Sequence, residues 1–404
     1  MNKFMKTVHS SAHLLHAPAK EFLDGALVDV FEKPSRAELI LQAVKRANLG
    51  EIIPPQDYGM GPIQAIHTPD YLEFLQNAYA LWIADGRSPN AVYPDTFYKA
   101  VFQHRPTKIG ALAGIYVMDL SAPITGGTWP AAYQSAQCAL TAARLVHDGA
   151  RAAFALCRPP GHHAHANIAG GYCYLNNVAI AAQSLRSWEG LAGSESSESS
   201  ESSEGSERSE RSEGLEGSKS LECYEPSEPY EPYKLSQPPK PAHPAQRVAI
   251  LDIDVHHGNG TQHIFYARRD VLFVSLHGDP DWQYPYFLGG ADERGAGEGL
   301  GYNVNYPLPQ GCDDGLFLST LDEACMQIAQ YVPDYLLISL GADTFELDPI
   351  GGLGLSSAAY GQIDQRLAQL HLPTVFIMEG GYAIAQLGEN VANVLIGFES
   401  LKIG

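Results

Sequence analysis

Five short apolar runs constrain the fold most: Ala152–Cys157, Val248–Ile253, Val271–Leu276, Tyr335–Leu340 and Thr374–Met378. Each is too short for a buried helix, and each reads as a strand covered on both faces. Helical apolar spacing falls between them, at Trp129–Asp148, Val178–Leu185, Leu318–Tyr331 and Ala358–Leu370. Strand and helix alternating with short turns predict a parallel sheet with helices on both sides. In such sheets, sites form beyond the carboxyl ends of the strands. The reactive residues of this chain sit there. The runs are followed by Arg158-Pro-Pro-Gly-His162-His163, Asp254-Val-His256-His257, His277-Gly-Asp279, Gly341-Ala-Asp343 and Glu379-Gly-Gly-Tyr382.

Upstream, Pro34–Ala47 and His67–Tyr79 read as helices, and residues 85–128, with Pro89, Pro94, Pro106 and Pro123, read as loop-rich. Residues 189–246 break the rhythm. They are low in complexity and rich in Ser, Glu and Pro, and cannot bury enough apolar surface to offset their ordering entropy. They are expected to be a disordered insertion within one domain spanning 1–404.

The net charge of −20 disfavours binding to a nucleic-acid backbone and favours cationic ligands. The cysteines, 138, 157, 173, 223, 312 and 325, lack CxxC spacing and are expected to be reduced thiols in a cytoplasmic protein. No apolar run reaches the roughly 18 residues of a membrane span.

The densest stretch is Leu251-Asp-Ile-Asp-Val-His-His-Gly-Asn-Gly260. If it continues the strand, Asp252, Asp254 and His256 share a face. Asp254 and His256, joined by Asp343, suit a divalent cation with an open coordination position. One of the adjacent histidines His162 and His163 can take a proton from water, and the Tyr382 hydroxyl can steady an oxyanion. Singly, a histidine or a turn tyrosine is more often structural. Together they describe a metal-dependent hydrolase. The oxygen-rich Asp2His set leaves zinc, iron(II), cobalt and manganese open.

Five motifs in order carry a resemblance. They are Arg158-Pro-Pro-Gly-His-His-Ala164, Gly171-Tyr-Cys-Tyr-Leu-Asn-Asn-Val-Ala-Ile-Ala181, the Leu251 stretch through Thr261, Ser339-Leu-Gly-Ala-Asp-Thr-Phe-Glu-Leu-Asp-Pro349 and Met378-Glu-Gly-Gly-Tyr382. They resemble the histone deacetylase and acetylpolyamine amidohydrolase family, with the bacterial acetylpolyamine type nearest in flavour. The resemblance implies an arginase-like three-layer α/β/α fold with a central, mainly parallel sheet. It implies zinc (Fe2+ or Co2+ possible) on Asp254, His256 and Asp343, and catalytic His162, His163 and Tyr382. Asp252 would stand behind His162 and Asn259 behind His163. It further implies a substrate tunnel at Gly171, Tyr172 and Tyr284, with Phe287 a rival to Tyr284, and a structural K+ at Asp252, Asp254, His256, Ser275 and Leu276.

The implied activity is deacetylation of an acetylpolyamine or of acetyl-lysine in a protein. Polyamine-type members place acidic residues at the tunnel mouth. Glu21 matches one of these, Gly110 and Ser121 stand at the others, and Asp119 is nearby. A homodimer closing the tunnel through residues 85–128 and 283–300 is a further expectation. The alternatives are an arginase-like ureohydrolase, which wants more aspartate ligands for two metals, and a non-catalytic acetyl-amine-binding scaffold, which needs no Tyr382.

Overall fold

A computed structural model describes residues 5–23, 25–99, 104, 106–188 and 246–400. The predicted insertion 189–246 lies outside these apart from Gln246. Ten strands are present among the described residues: β1 Lys6–Val8, β2 Lys20–Leu23, β3 Ala26–Asp29, β4 Ile52–Ile53, β5 Ala152–Ala155, β6 Val248–Asp252, β7 Val271–Gly278, β8 Asn303–Leu308, β9 Tyr335–Leu340 and β10 Thr374–Met378. The helices are α1 Pro34–Arg46, α2 Gly61–Gln64, α3 Pro69–Ala84, α4 Ile109–Tyr116, α5 Thr128–His147, α6 Asn177–Ser187, α7 Asn259–Phe265, α8 Asp314–Tyr331, α9 Ser357–Gln369 and α10 Leu387–Ser400. None of the helices is long and apolar enough to cross a membrane.

Eight strands form one parallel sheet in the order β4-β1-β5-β10-β9-β6-β7-β8, and β2 and β3 pair as a separate antiparallel hairpin. Successive strand residues serve opposite layers, as a two-residue period demands. Ala153, Ala155, Val248, Ile250, Leu337, Val375 and Ile377 enter the core beneath α3, α5 and α6. Ala152, Phe154, Ala249, Leu251, Leu336, Ile338, Phe376 and Met378 enter the core beneath α1, α8, α9 and α10. With about 1.5–3 kcal/mol gained per large aliphatic side chain buried, both layers lock each strand's register.

That register aligns the strand ends. Ala155, Ile377, Ser339, Asp252 and Ser275 form one row across β5, β10, β9, β6 and β7. The segments that follow these five strands therefore emerge side by side.

Helix α4 and strand β8 are among the elements that the sequence reading does not contain. Helix α4 lies within the predicted loop region. Its run Ile-Gly-Ala-Leu-Ala-Gly-Ile-Tyr carries two helix-weakening glycines, both with close tertiary neighbours: a Cβ would stand 1.9 Å from Arg87 Nη2 at Gly110 and 1.9 Å from the Thr96 carbonyl oxygen at Gly114. Strand β8 contains Pro307, which is tolerated because β8 is the sheet edge and pairs with β7 alone.

Candidate active site

Strand β6 ends at Asp252, so a continuing extended face does not bring Asp254 and His256 together. The chain bends instead. Asp252 Oδ1 accepts a hydrogen bond from the Asp254 amide (3.1 Å), and Asp254 Oδ1 accepts one from the His256 amide (2.9 Å). These side-chain-to-backbone turns aim the two carboxylates differently. Asp252 turns to His162, and Asp254 turns to His256.

One donor atom from each of Asp254, His256 and Asp343 lies within 4.8 Å of the others, all buried. His256 Nδ1 is 3.1 Å from Asp254 Oδ1 and 3.4 Å from Asp343 Oδ2. Asp343 Oδ1 accepts from the Val255 amide (2.9 Å), while its Oδ2 is buried without a hydrogen-bond partner. The surroundings are cut to the carboxylates. A Cβ at Gly341 would stand 2.3 Å from Asp254 Oδ2, and one at Gly380 would stand 2.0 Å from Asp343 Oδ2. Burial opposes charge on Asp254, yet His162 and His256 hold it well below the usual carboxylate range. Burial also opposes the His256 imidazolium, but Asp254 and Asp343 raise it to about 10. The trio demands a positive charge, and its donors fit a divalent cation.

A second buried group, His162, Cys173 and Glu379, is already committed. His162 Nδ1 lies 2.9 Å from Asp252 Oδ2. Glu379 Oε2 accepts from the Gly161 and His162 amides (2.7 and 3.2 Å). Burial pushes the Cys173 thiol well above its ordinary range, away from the thiolate a metal needs.

The adjacent histidines face unlike partners. Their ring centroids are 4.0 Å apart. For His162, burial is outweighed by Asp252 and Asp254, and its pKa rises to about 10. For His163, burial and the neighbouring charges of His162 and His256 push the pKa well below 6.5. His163 Nδ1 is 2.7 Å from Asn259 Oδ1, and the Asn259 amide nitrogen is 3.0 Å from His165 Nε2. With the amide oxygen facing His163, the proton of that ring belongs on Nδ1 and Nε2 keeps its lone pair.

Tyr382 is buried. Its amide donates to Asp348 Oδ2 (2.6 Å), as does that of Ala383 (2.9 Å). Arg36 donates to the Gly381 and Glu379 carbonyls (2.6 and 2.7 Å) and lies 4.7 Å from the Tyr382 ring centroid. Glu32 joins Arg36 to Arg158, at 2.9 and 2.8 Å, so one buried carboxylate ties the Tyr382 loop to the segment leading into His162.

Around this centre, Tyr284 stands edge-on to His163 with centroids 5.0 Å apart, and Tyr172 lies 5.6 Å from Tyr382. Phe287 is 90% exposed and forms no part of the wall. Gly171 has φ +50°, and a Cβ there would stand 2.4 Å from the His163 ring. Its amide and the Tyr284 hydroxyl both donate to Asp119 Oδ2, at 2.8 and 2.6 Å. Glu21 is buried, accepts from the Phe31 amide (2.9 Å), and has its pKa raised by burial despite the nearby Tyr172 hydroxyl. Gly110 packs against Arg87, and Ser121 donates its amide to Asp119 Oδ1 (2.9 Å). Ser275 Oγ is bonded to His277 Nδ1 (2.8 Å), and Ser275 and Leu276 lie on β7 beside the end of β6. His257 is buried with its ring 4.5 Å from His277.

Sequence reasoning assigned no role to Glu379, Asp348, Glu32, Arg36, Arg158 or His165. Glu379 alone left a signal, as a carboxylate directly after a strand beside two glycines.

The chain is similar to proteins of one family. A family model described as the histone deacetylase domain matches residues 30–192 and 240–398. Acetylpolyamine amidohydrolase 1 of Pseudomonas aeruginosa is 46% identical over 399 residues, covering 98% of this chain and 99% of its own. Acetylpolyamine amidohydrolase of Mycoplana ramosa is 36% identical, covering 97% and 99%. A crystal structure of acetylpolyamine aminohydrolase from Burkholderia pseudomallei superposes with a TM-score of 0.81 at 37% identity, covering 98% and 99%.

Proposed function

The chain belongs to the histone deacetylase family, and from that premise we propose that it is a zinc-dependent deacetylase that prefers N-acetylated polyamines to acetyl-lysine proteins. The observation that carries the reading is His163, its Nδ1 held 2.7 Å from the Asn259 amide oxygen, beside the Asp254–His256–Asp343 trio.

When bound by that trio, a divalent ion supplies Lewis acidity toward the amide carbonyl and toward water. The protein does the rest. His163 Nε2 takes the proton of the attacking water and passes it to the departing amine. His162, kept as an imidazolium by Asp252, presents a fixed positive charge to the developing oxyanion. Burial raises the Tyr382 phenol well above 10, so it stays a hydrogen-bond donor toward the same oxygen. Tyr172 and Tyr284 flank the alkyl chain, and Gly171 lets the backbone come close to it. The structural K+ belongs to the same reading, on Asp252, Asp254, His256, Ser275 and Leu276, where the ends of β6 and β7 run side by side.

The polyamine preference rests on Glu21 and Asp119, carboxylates beside the two tyrosine walls, and on a net charge of −20. Turnover of N-acetylputrescine and of an acetyl-lysine peptide, with and without chelator, tests the reading. The expected result is chelator-sensitive hydrolysis with kcat/KM for the acetylpolyamine about tenfold or more higher. Tyr382→Phe should cost on the order of 10²–10³ in kcat while leaving the metal in place. Failure on both substrates with metal bound sinks the proposal.

A further inference from the structure

Among the described residues, three groups bring His, Cys, Asp or Glu donors close enough to hold an ion. One is the Asp254 trio, and one is the committed His162 group. The third is His9, His13 and Glu38, which no part of the deacetylase chemistry uses. We propose that these three residues form a second divalent-cation site of the zinc class, with water completing the coordination.

His9 follows the end of β1, His13 lies on the short 3-10 helix Ser11–Leu15, and Glu38 lies on α1. One ring nitrogen from each histidine and one carboxylate oxygen fall within 4.8 Å of one another. The two rings are 5.1 Å apart, and His13 Nε2 is 3.1 Å from Glu38 Oε1. Each ring also carries a buried Nδ1 with no hydrogen-bond partner, and His13 as a whole is only 3% exposed. Buried polar nitrogens are normally satisfied. The rings differ in this from His162 and His163, whose Nδ1 atoms are both taken.

Two imidazoles and a carboxylate are a common zinc donor set. Glu38 is half-exposed, so the group is open to solvent on that side. Burial, helped by Lys45 beside His9 and Arg158 beside His13, outweighs the pull of Glu38 on both rings, and of Glu32 on His13. Both rings are thereby kept in the neutral form that binds metal. The His13 carbonyl accepts a hydrogen bond from Arg158, so an ion here would stiffen the segment that the Glu32–Arg36–Arg158 brace rests on.

The test is zinc stoichiometry after equilibrium dialysis of the full chain, by elemental analysis. His9→Ala and Glu38→Gln change residues that are not fully buried and spare the folded core; circular dichroism checks that both remain folded. Each variant should hold about one zinc equivalent fewer than the parent, whatever the parent's total. Asp343→Asn should instead lose the active-site equivalent and keep this one, which separates the two sites. Stoichiometry unchanged in both His9→Ala and Glu38→Gln overturns the proposal.

Discussion

The chain contains two His-His pairs close to one another, and they are used differently. In His162–His163 both rings look into the centre, and the group behind each ring sets its charge. A carboxylate, Asp252, holds His162 up, while an amide, Asn259, leaves His163 to the effect of burial. In His256–His257 only the first ring looks inward, between Asp254 and Asp343. The second packs on His277 and Phe273, and burial and its histidine neighbours lower its pKa well below 6.5. The same dipeptide thus yields an imidazolium beside the proposed base in one case and a proposed ligand beside a packing residue in the other. For His162 and His163 the group behind the ring decides: a carboxylate keeps the ring charged and an amide does not.

The largest break in this comparison comes from removing a carboxylate from His256. Asp343→Asn should release the active-site metal and lower turnover on the order of 10³-fold or more, read by elemental analysis and steady-state rates. Retained metal would deny Asp343 its place among the ligands. Next, His163→Ala should lower kcat roughly 10²–10⁴-fold with little change in metal content. A loss confined to KM would deny it the role of base.

Asn259→Asp makes the two inward rings alike. In the parent the pKa of His163 lies well below 6.5, and the proposed base is the neutral form, which is present above that pKa. A carboxylate behind it raises that pKa, so activity is lost earlier as pH falls. The acid limb of the kcat–pH profile should move up by about one unit or more. An unmoved limb would assign the titration elsewhere. The smallest effect is expected at His257→Leu, because this ring packs on His277 and Phe273 and is not among the donors of the trio. Turnover should stay within about tenfold of the parent, and a larger fall with unchanged thermal stability would give this ring a part in the chemistry.

What the sequence made most legible was the position of the reactive residues that follow β5, β6, β9 and β10, Glu379 excepted. Such residues need only the strand to be placed, and a strand announces itself by its apolar run. Tyr335–Leu340 and Thr374–Met378 coincide with β9 and β10 residue for residue. The brace was not legible. Arg36 reaches the Gly381 carbonyl across 345 residues, and Glu32 and Arg158 are ordinary charged residues until packing buries them. Asp348 likewise looks like a turn aspartate until its carboxylate is seen gripping the Tyr382 amide. The alternation assumed for Asp252, Asp254 and His256 failed at the strand end, where Asp side chains capture backbone amides and replace the pleat.

The place of β10 in the sheet carries a consequence in time. It is the last strand along the chain, yet it lies between β5 and β9 and supplies Glu379 and Tyr382. A chain emerging in order from the ribosome therefore holds β5 and β9 before the strand that must separate them exists. Any pairing of β5 with β9 formed before then has to reopen to admit β10, and long-range parallel pairing forms slowly. The nascent protein carries no working centre until its final strand slots into the middle, so hydrolytic competence arrives with the last part of the fold and not by degrees.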